Sequence, residues 1–305
     1  MADYPVLPIF MIMPRLFKYV SASVALTILK NKTLRWRSPK SFNDPFELKN
    51  PLEFGFEWNE LKEAYHRCVI AVLSQVDDPP IVEGNPVASI VREARSQCRN
   101  GRRDPETIWK GMEIQFEGFV NQQKELTLAD RNTWNEMKQN YRILCLSAVH
   151  DNILMWSHYA DEHRGIVLEF RPTIGQPAGS LPAAVSYSNE VPVAVTLEEY
   201  VRFLTGIGHR PDSRNAWKKS IYTKSSVWVY ENEWRILDTK RADEQGEFSD
   251  RQFDPQDLLS VFLGCRIASE LCSQIRAILA DWTSPVAIFK MRDERIRFEL
   301  SPERV

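Results

Sequence analysis

The sequence predicts a mixed α+β fold, and three observations carry that expectation. Short stretches such as "TLRWRS", "YRILCLSAV" and "GIVLEFRP" have the alternation, or the compact apolar content, of β-strands. Amphipathic helical stretches separate them at unequal spacings, which is the pattern of an α+β domain. From about Trp58 to Tyr141 the texture changes to long polar segments with helical periodicity. The expectation is a single α+β domain over residues 1–305, with 58–141 forming a helical insertion or subdomain.

The elements follow in order. "RLFKYV" reads as a strand, "SVALTILKNK" as a helix capped by Ser21 or Ser23, and "TLRWRS" as a second strand. "PKSFNDPFE" is a loop, because Pro39, Asn43, Asp44 and Pro45 all favour turns. In the insertion, "NELKEAYHRCVIAVLSQV", "ASIVREARSQC" and "PETIWKGMEIQFEGFVNQQKEL" are helices divided by the loops "DDPPIVEGNP" and "RNGRRDPE". "YRILCLSAV" then returns as a strand, and "DNILMWSHYADEH" is a short helix capped by Asp151 or Asn152. Gly165 supplies the turn into "GIVLEFRP". "PAAVSYS" is a strand, "TLEEYVRFLTG" a helix ended by glycine, "NAWKKSIYTKSS" helical, and "ENEWRILDTK" a strand. The end carries the strand "LLSVFLGCRI", the helix "SELCSQIRAILADW" and the paired strands "VAIFKMR" and "RIRFELS".

Composition excludes several classes. With 43% hydrophobic and 26% charged residues the chain is an ordinary globular sequence, neither disordered nor fibrous. No apolar run approaches the roughly 18 residues a membrane helix needs. The opening "VLPIFMIMPRLF" lacks a basic leader and is broken by Pro8 and Pro14, so it is a poor secretory signal, and the protein reads as cytoplasmic. Five scattered cysteines, none spaced as CxxC, fit neither a disulfide framework nor a cysteine zinc site. A net charge of −2 gives no bulk attraction to nucleic acid or anionic membrane. The Gly-rich phosphate loop, HExxH and GxSxG are all missing from the sequence, which removes the main supports for nucleotide triphosphatase, zincin and α/β-hydrolase readings.

Three stretches concentrate chemistry-bearing residues. In "MWSHYADEHRG", helical spacing puts Trp156, Tyr159 and His163 on one face, with Met155 and His158 in a neighbouring row. Burial of Met155, Trp156 and Tyr159 is the ordinary reading; the functional one has Tyr159 or Trp156 facing a planar ligand while a histidine donates a hydrogen bond. His158 and His163 are five residues apart, so they diverge by about 140° on a helix, and no metal is expected. In "WVYENEWRIL", an extended backbone would place Glu231, Glu233 and Arg235 on one face and Trp234 and Ile236 on the other. Paired carboxylates repel, so an adjacent Arg235 or Lys224 would be welcome, and one carboxylate could hold a raised pKa. A solvated Glu/Arg ladder is the ordinary alternative. In "SPKSFNDPFE", Asn43 and Asp44 form either a simple turn or a polar loop at the mouth of a pocket.

The fN-D-P-f element at Phe42–Phe46, M-W-x-x-Y-a-x-x-H-x-G at Met155–Gly165 and W-x-x-E-x-E-x-R at Trp228–Arg235 resemble the bacterial domain-of-unknown-function family DUF2971. The resemblance runs from about Phe17 to Leu300, with the helical insertion least covered. A more distant similarity is to ADP-ribosyltransferases, which bind NAD with a first-strand His or Arg, a middle strand bearing Ser or Tyr followed by a helical aromatic that stacks on nicotinamide, and a late-strand glutamate. Here those positions fall on Lys18 and Tyr19, on Ser147 with Tyr159, and on Glu231 and Glu233. The chain departs from that pattern where Lys18-Tyr19 replaces the expected His or Arg.

This similarity implies a split mixed β-sheet and an enzyme using NAD as substrate, either transferring ADP-ribose to a macromolecule or hydrolysing NAD. Glu233 would stabilise the oxocarbenium-like centre through the ribose hydroxyl and Glu231 would position the nucleophile. Tyr159 or Trp156 would stack on nicotinamide, with His158 at the same wall. Lys18, Arg235 or Arg37 would meet the pyrophosphate. By analogy a toxin or phage-defence effector with an antitoxin or other partner protein is implied. Two other classes fit the residues: a nuclease or hydrolase using His158 or His163 with Glu233, and a non-enzymatic module that binds a nucleotide or a partner.

Overall fold

The computed structural model describes residues 14–48, 54–174, 181–294 and 296–305, with the side chains of 124–132 and 213–216 left aside. The apolar opening stretch before residue 14 lies outside the described residues. Among the described residues, no helix is long and apolar enough to cross a membrane. The chain divides into two compact units. One takes residues up to Asn43, Gln139–Asn189 and Lys224 onward; the other takes Asp44–Lys138 and Glu190–Thr223.

In chain order the elements are β1 (Leu16–Val20), α1 (Ala22–Asn31), β2 (Thr33–Arg37), β3 (Phe54–Gly55), α2 (Trp58–Ser74), α3 (Ala88–Arg99), α4 (Pro105–Asn140), β4 (Tyr141–Ser147), α5 (Ile153–Tyr159), β5 (Ile166–Phe170), β6 (Ala183–Ala184), β7 (Ser186–Ser188), β8 (Val195–Thr196), α6 (Leu197–Leu204), α7 (Ser213–Ile221), β9 (Thr223–Ser225), β10 (Glu233–Thr239), β11 (Phe248–Gln252), β12 (Leu258–Leu263), α8 (Ser269–Ala280), β13 (Ala287–Asp293) and β14 (Leu300–Arg304). The fold is therefore mixed α+β.

In the first unit the sheet is mixed, in the order β11-β2-β4-β1-β5-β12-β13-β14, with β10 on β4 and β6 on β10. The β12–β13 pair is parallel, and the other ladders of this sheet are antiparallel. The branch at β4 matters most. Along one edge it pairs with β10 from Tyr141↔Thr239 to Ser147↔Glu233. On its other edge, Ile143 meets Arg37 of β2 and Ser147 meets Phe17 of β1.

Each face of this sheet carries a core. Leu16, Val20, Leu144, Leu146, Leu168, Phe170, Val261 and Leu263 pack with Ala25, Ile28 and Leu29 of α1 and Ile275 and Leu279 of α8. Phe17, Tyr19, Val167 and Phe262 point the other way and meet Met155 and Trp156 of α5, as strand alternation requires. Strand β5 is buried along its whole length, which accounts for the apolar residues on both of its faces; its one charged residue, Glu169, is paired with Arg15 at 3.0 Å.

The second unit has a separate core of helical residues. Leu61, Tyr65, Val69, Ile108, Trp109, Phe116, Val120, Tyr200 and Val201 cluster, with Tyr65 and Phe116 rings stacked at 4.9 Å. The helical run at 58–141 is α2, α3 and α4, and the same unit also takes α6, α7 and the short parallel pair β3–β8 from farther along the chain.

Local chemistry sets several boundaries. Ser21 Oγ accepts from Val24 N–H to start α1, and Lys32, at φ 55°, ends it. Asn152 Oδ1 accepts from the Leu154 and Met155 N–H groups to start α5. That helix stops at Tyr159, and Asp161, Glu162 and His163 follow with φ of 49°, 49° and 69°. His163 is therefore not on the helical face with Trp156 and Tyr159 that regular spacing predicts. A second departure is "WVYENEWRIL", which is not extended from Trp228. Residues Ser226–Glu231 form a 3₁₀ helix, Asn232 is left-handed at φ 42°, and the strand starts only at Glu233. The tail of "NAWKKSIYTKSS" is likewise β9 rather than helix.

Candidate active site

The site is built on the turn from the 3₁₀ helix into β10. Glu233 and Arg235 are two apart on a strand and so share a side. Arg235 Nε donates to Glu233 Oε1 at 2.8 Å, and its Nη2 donates to Oε2 at 3.0 Å, a bidentate pair. The left-handed Asn232 folds the preceding turn back so that Glu231 joins Glu233 on one cation. Lys224 of β9 donates to Glu231 Oε2 at 2.5 Å and to Glu233 Oε2 at 3.0 Å. The Tyr159 hydroxyl, at the end of α5, donates to Glu231 Oε1 at 2.6 Å. All four charged groups are nearly sealed from water, with exposures of 8% for Lys224, 4% for Glu231, 5% for Glu233 and 0% for Arg235.

Neighbouring strands fix the surroundings. Lys18 of β1 donates to the Cys145 carbonyl at 2.7 Å, and Cys145 is the β4 partner of Arg235. Ser147 Oγ donates to the Glu231 carbonyl at 2.7 Å and accepts from Val149 N–H at 3.1 Å, so this serine pins the 3₁₀ turn to β4. Tyr187 of β7 accepts from Glu233 N–H at 2.8 Å. The Trp228 ring lies 5.1 Å from the Lys224 ammonium, and the Phe42 ring 5.5 Å from the Arg235 guanidinium. Tyr159, Tyr187, Trp228 and Tyr230 are each half-buried; the first three touch Glu231, Glu233 and Lys224, and Tyr230 shares a hydrogen bond with His158.

Burial and pairing pull the titrations in opposite directions. Burial pushes the Glu233 carboxyl above the usual range, only partly opposed by the Lys224 ammonium and a hydrogen bond with the Cys145 thiol. For Lys224 burial disfavours the charge, but Glu233 and Glu231 outweigh it and hold the ammonium above its ordinary value. Burial lowers Lys18 and raises the Cys145 thiol well above its ordinary value, so the cysteine is a neutral thiol and not a nucleophile. Tyr159 is raised by burial and then by Glu231, and burial pushes Tyr187 up to about 12. Both phenols are neutral hydrogen-bonding groups at physiological pH. The arrangement holds two carboxylates, nearly sealed from water, between two cations and a set of half-buried aromatic rings.

The residues expected from sequence divide clearly. Glu231, Glu233, Arg235, Tyr159 and Ser147 converge, and Lys18 is tied to the same centre through Cys145. Trp156 does not present a face to a ligand. It is 0% exposed, donates to the His150 carbonyl at 2.8 Å, meets the Tyr19 ring edge-on at 5.7 Å and stacks with His163 at 6.3 Å. Tyr19 is buried in the same core, its hydroxyl donating to the Val149 carbonyl at 3.0 Å, so it too is a packing residue. The histidines take different partners: His158 is exposed and shares a hydrogen bond with Tyr230 at 3.1 Å, while His163 shares one with Ser157 at 3.1 Å. Among the described residues, His, Cys, Asp and Glu side chains form no cluster suited to a metal ion. Asn43 is exposed beyond the 3₁₀ turn at Pro39–Ser41. Asp44 belongs to the helical unit, where its Oδ1 accepts from Phe46 N–H at 2.8 Å, the turn that Asn-Asp-Pro chemistry favours.

Sequence reasoning placed Lys224 only as a welcome neighbour and left out Cys145, Tyr187 and Tyr230. One signal pointed to the lysine: Lys224 and Trp228 stand four apart, ahead of the acidic pair.

The family described as "Protein of unknown function (DUF2971)" matches residues 155–236 of this chain. That stretch begins with the Met-Trp pair of α5 and ends just beyond Arg235, and it contains Tyr159, Lys224, Glu231 and Glu233. The match supports the family resemblance over the two motifs at Met155–Gly165 and Trp228–Arg235, and does not reach the Phe42–Phe46 motif. No curated protein and no solved structure matches the chain.

Proposed function

We propose that this chain is an ADP-ribosyltransferase-like enzyme that cleaves the nicotinamide–ribose bond of NAD and passes ADP-ribose to a macromolecular acceptor or to water. The observation that carries the reading is the register at Ser147, which pairs with Phe17 of β1 on one side and Glu233 of β10 on the other. The three strands that the distant similarity assigns to nucleotide binding and to the carboxylate therefore lie side by side, with Lys18 next to the Phe17 register point.

In this reaction the bond between C1′ and the nicotinamide nitrogen breaks and its electron pair leaves with nicotinamide. Positive charge develops on C1′ and the ring oxygen, and a hydroxyl or amine nucleophile adds at C1′ and releases its proton. A carboxylate hydrogen-bonded to the ribose hydroxyl stabilises that charge. The geometry favours Glu231 for this role, not Glu233. Both oxygens of Glu233 are held by buried cations, whereas Glu231 Oε1 has the neutral Tyr159 hydroxyl as its partner, a contact a ribose hydroxyl can share or replace. Glu233 then serves as the fixed anion that sets the site. The half-buried Tyr159 offers the ring for nicotinamide, and Lys18 with the exposed Arg37 the positive charge for the pyrophosphate.

The test is nicotinamide release from NAD by wild type and by Glu231→Gln, with folding checked by circular dichroism. The substitution is isosteric and should lower turnover on the order of 100-fold or more with the fold retained. A folded Glu231→Gln variant with full turnover would overturn the assignment.

A further inference from the structure

We propose that Lys224 is a positioning residue whose ammonium holds the two buried carboxylates together in their ionised form and so keeps Glu231 available to substrate. Its catalytic consequence rests on the NAD reading above; its physical content does not. Among the described residues, Lys224 is the group that touches both acids, at 2.5 Å to Glu231 and 3.0 Å to Glu233, and the Trp228 ring lies 5.1 Å away.

Among the described residues, the other groups facing this centre cannot replace it. From β10, Arg235 bonds to Glu233. From β1, Lys18 is engaged with the Cys145 carbonyl and carries a charge that burial weakens, and Arg37 of β2 acts on Lys18 with the same sign. Cys145 from β4, Tyr159 from α5, Tyr187 from β7 and Tyr230 from the 3₁₀ helix are neutral donors or acceptors with raised titrations. Removing the ammonium would leave two neighbouring buried carboxylates against a single bonded guanidinium, and the cheapest relief is for one carboxyl to keep its proton. Glu231, left with only a phenol donor among these contacts, is the acid expected to do so. A protonated Glu231 is a poorer hydrogen-bond acceptor for a ribose hydroxyl and cannot offset the charge at C1′.

The experiment follows the Glu231 side-chain carboxyl by ¹³C NMR as a function of pH, assigned against Glu231→Gln, in the full chain and in Lys224→Arg, Lys224→Gln and Lys224→Met. Nicotinamide release from NAD is measured on the same samples. The titration midpoint should rise by more than about one pH unit in the Gln and Met variants and stay near wild type in the Arg variant. The acidic limb of the turnover profile should move with it. If the Met variant does not fold, Lys224→Gln, which keeps a hydrogen-bond donor but no charge, decides the question. An unchanged Glu231 midpoint in folded Lys224→Gln would overturn the proposal. The two readings separate cleanly: a shifted midpoint without NAD turnover in wild type sinks the NAD reading alone, and wild-type turnover with an unchanged midpoint sinks only the role of Lys224.

Discussion

Arg235 and Arg35 show how little an ion pair's geometry says about its worth without its surroundings. Both make two-pronged hydrogen bonds to a carboxylate, Arg235 to Glu233 in the interior and Arg35 to Asp250 on the surface, where the partners are 56% and 48% exposed. Water screens the second pair, and exposed pairs contribute little. Arg235→Leu should cost about 3–5 kcal/mol in urea unfolding because it leaves two buried carboxylates, Glu231 and Glu233, sharing the single Lys224 ammonium, whereas Arg35→Leu should cost less than about 1 kcal/mol. Equal losses would show that Glu233 is not held as a buried anion. At this scale the sequence singled out Glu231, Glu233, Arg235 and Tyr159, and the structure brings these side chains together. For Trp156 the ordinary reading, burial, is the one the structure shows, and Tyr19 packs in the same core; an aromatic suited to stacking on a ligand is equally suited to a core, and only the three-dimensional contacts distinguish the two.

Asn232 is the element-scale joint on which the site depends. At φ 42° and ψ 51° it adopts a conformation open to Gly and Asn but strained for branched residues. Asn232→Gly should keep stability and turnover. Asn232→Val should lose about 1–2 kcal/mol and part of the turnover, read by urea unfolding and nicotinamide release. A neutral Val variant would mean that the turn is not required. This joint also explains a failure of sequence reading: alternation assumed one continuous strand through "WVYENEWRIL", whereas the structure brings Glu231 and Glu233 together by a 3₁₀ turn and a left-handed residue.

Strand β11 was hidden for a different reason. Its buried positions are the polar Ser249 and Arg251, so "FSDRQ" carries no apolar alternation. Arg251 is bonded to Glu244 and Asp238, while Arg142 of β4 donates to Ser249 Oγ at 2.8 Å. Burial raises Glu244, but the hydrogen bonds from Arg251 and its neighbours prevail and bring it down to about 2 from an ordinary 4.5. A depressed folded value stabilises the fold above the unfolded value and is lost as pH falls through the folded one. The urea midpoint should therefore decline between about pH 4.5 and 2, and Glu244→Gln should flatten that decline while lowering stability at neutral pH. An identical slope in the variant would contradict the pairing.

Across the molecule, the alternation of strands and helices was readable, and the order of the strands was not. The separation of β4 from β1 by the helical stretch, and of β10 from both, places pairing partners more than 80 residues apart in sequence, as with Glu233 and Ser147. Nothing local encodes such a register; the branch of the sheet at β4 sets it. Likewise, the helical run at 58–141 was recognisable by its texture, but the return of 190–223 to the same unit has no local signature. The proposed activity belongs to this scale, because it depends on β1, β4, the 3₁₀ helix, β10, β9 and α5 delivering Lys18, Ser147, Glu231, Glu233, Lys224 and Tyr159 to one centre. The most direct measurement is a structure of the chain with a non-cleavable NAD analogue bound. The account predicts the nicotinamide ring against Tyr159 and a ribose hydroxyl within about 3 Å of a Glu231 oxygen. An analogue seated elsewhere, or no binding at saturating concentration, would contradict it.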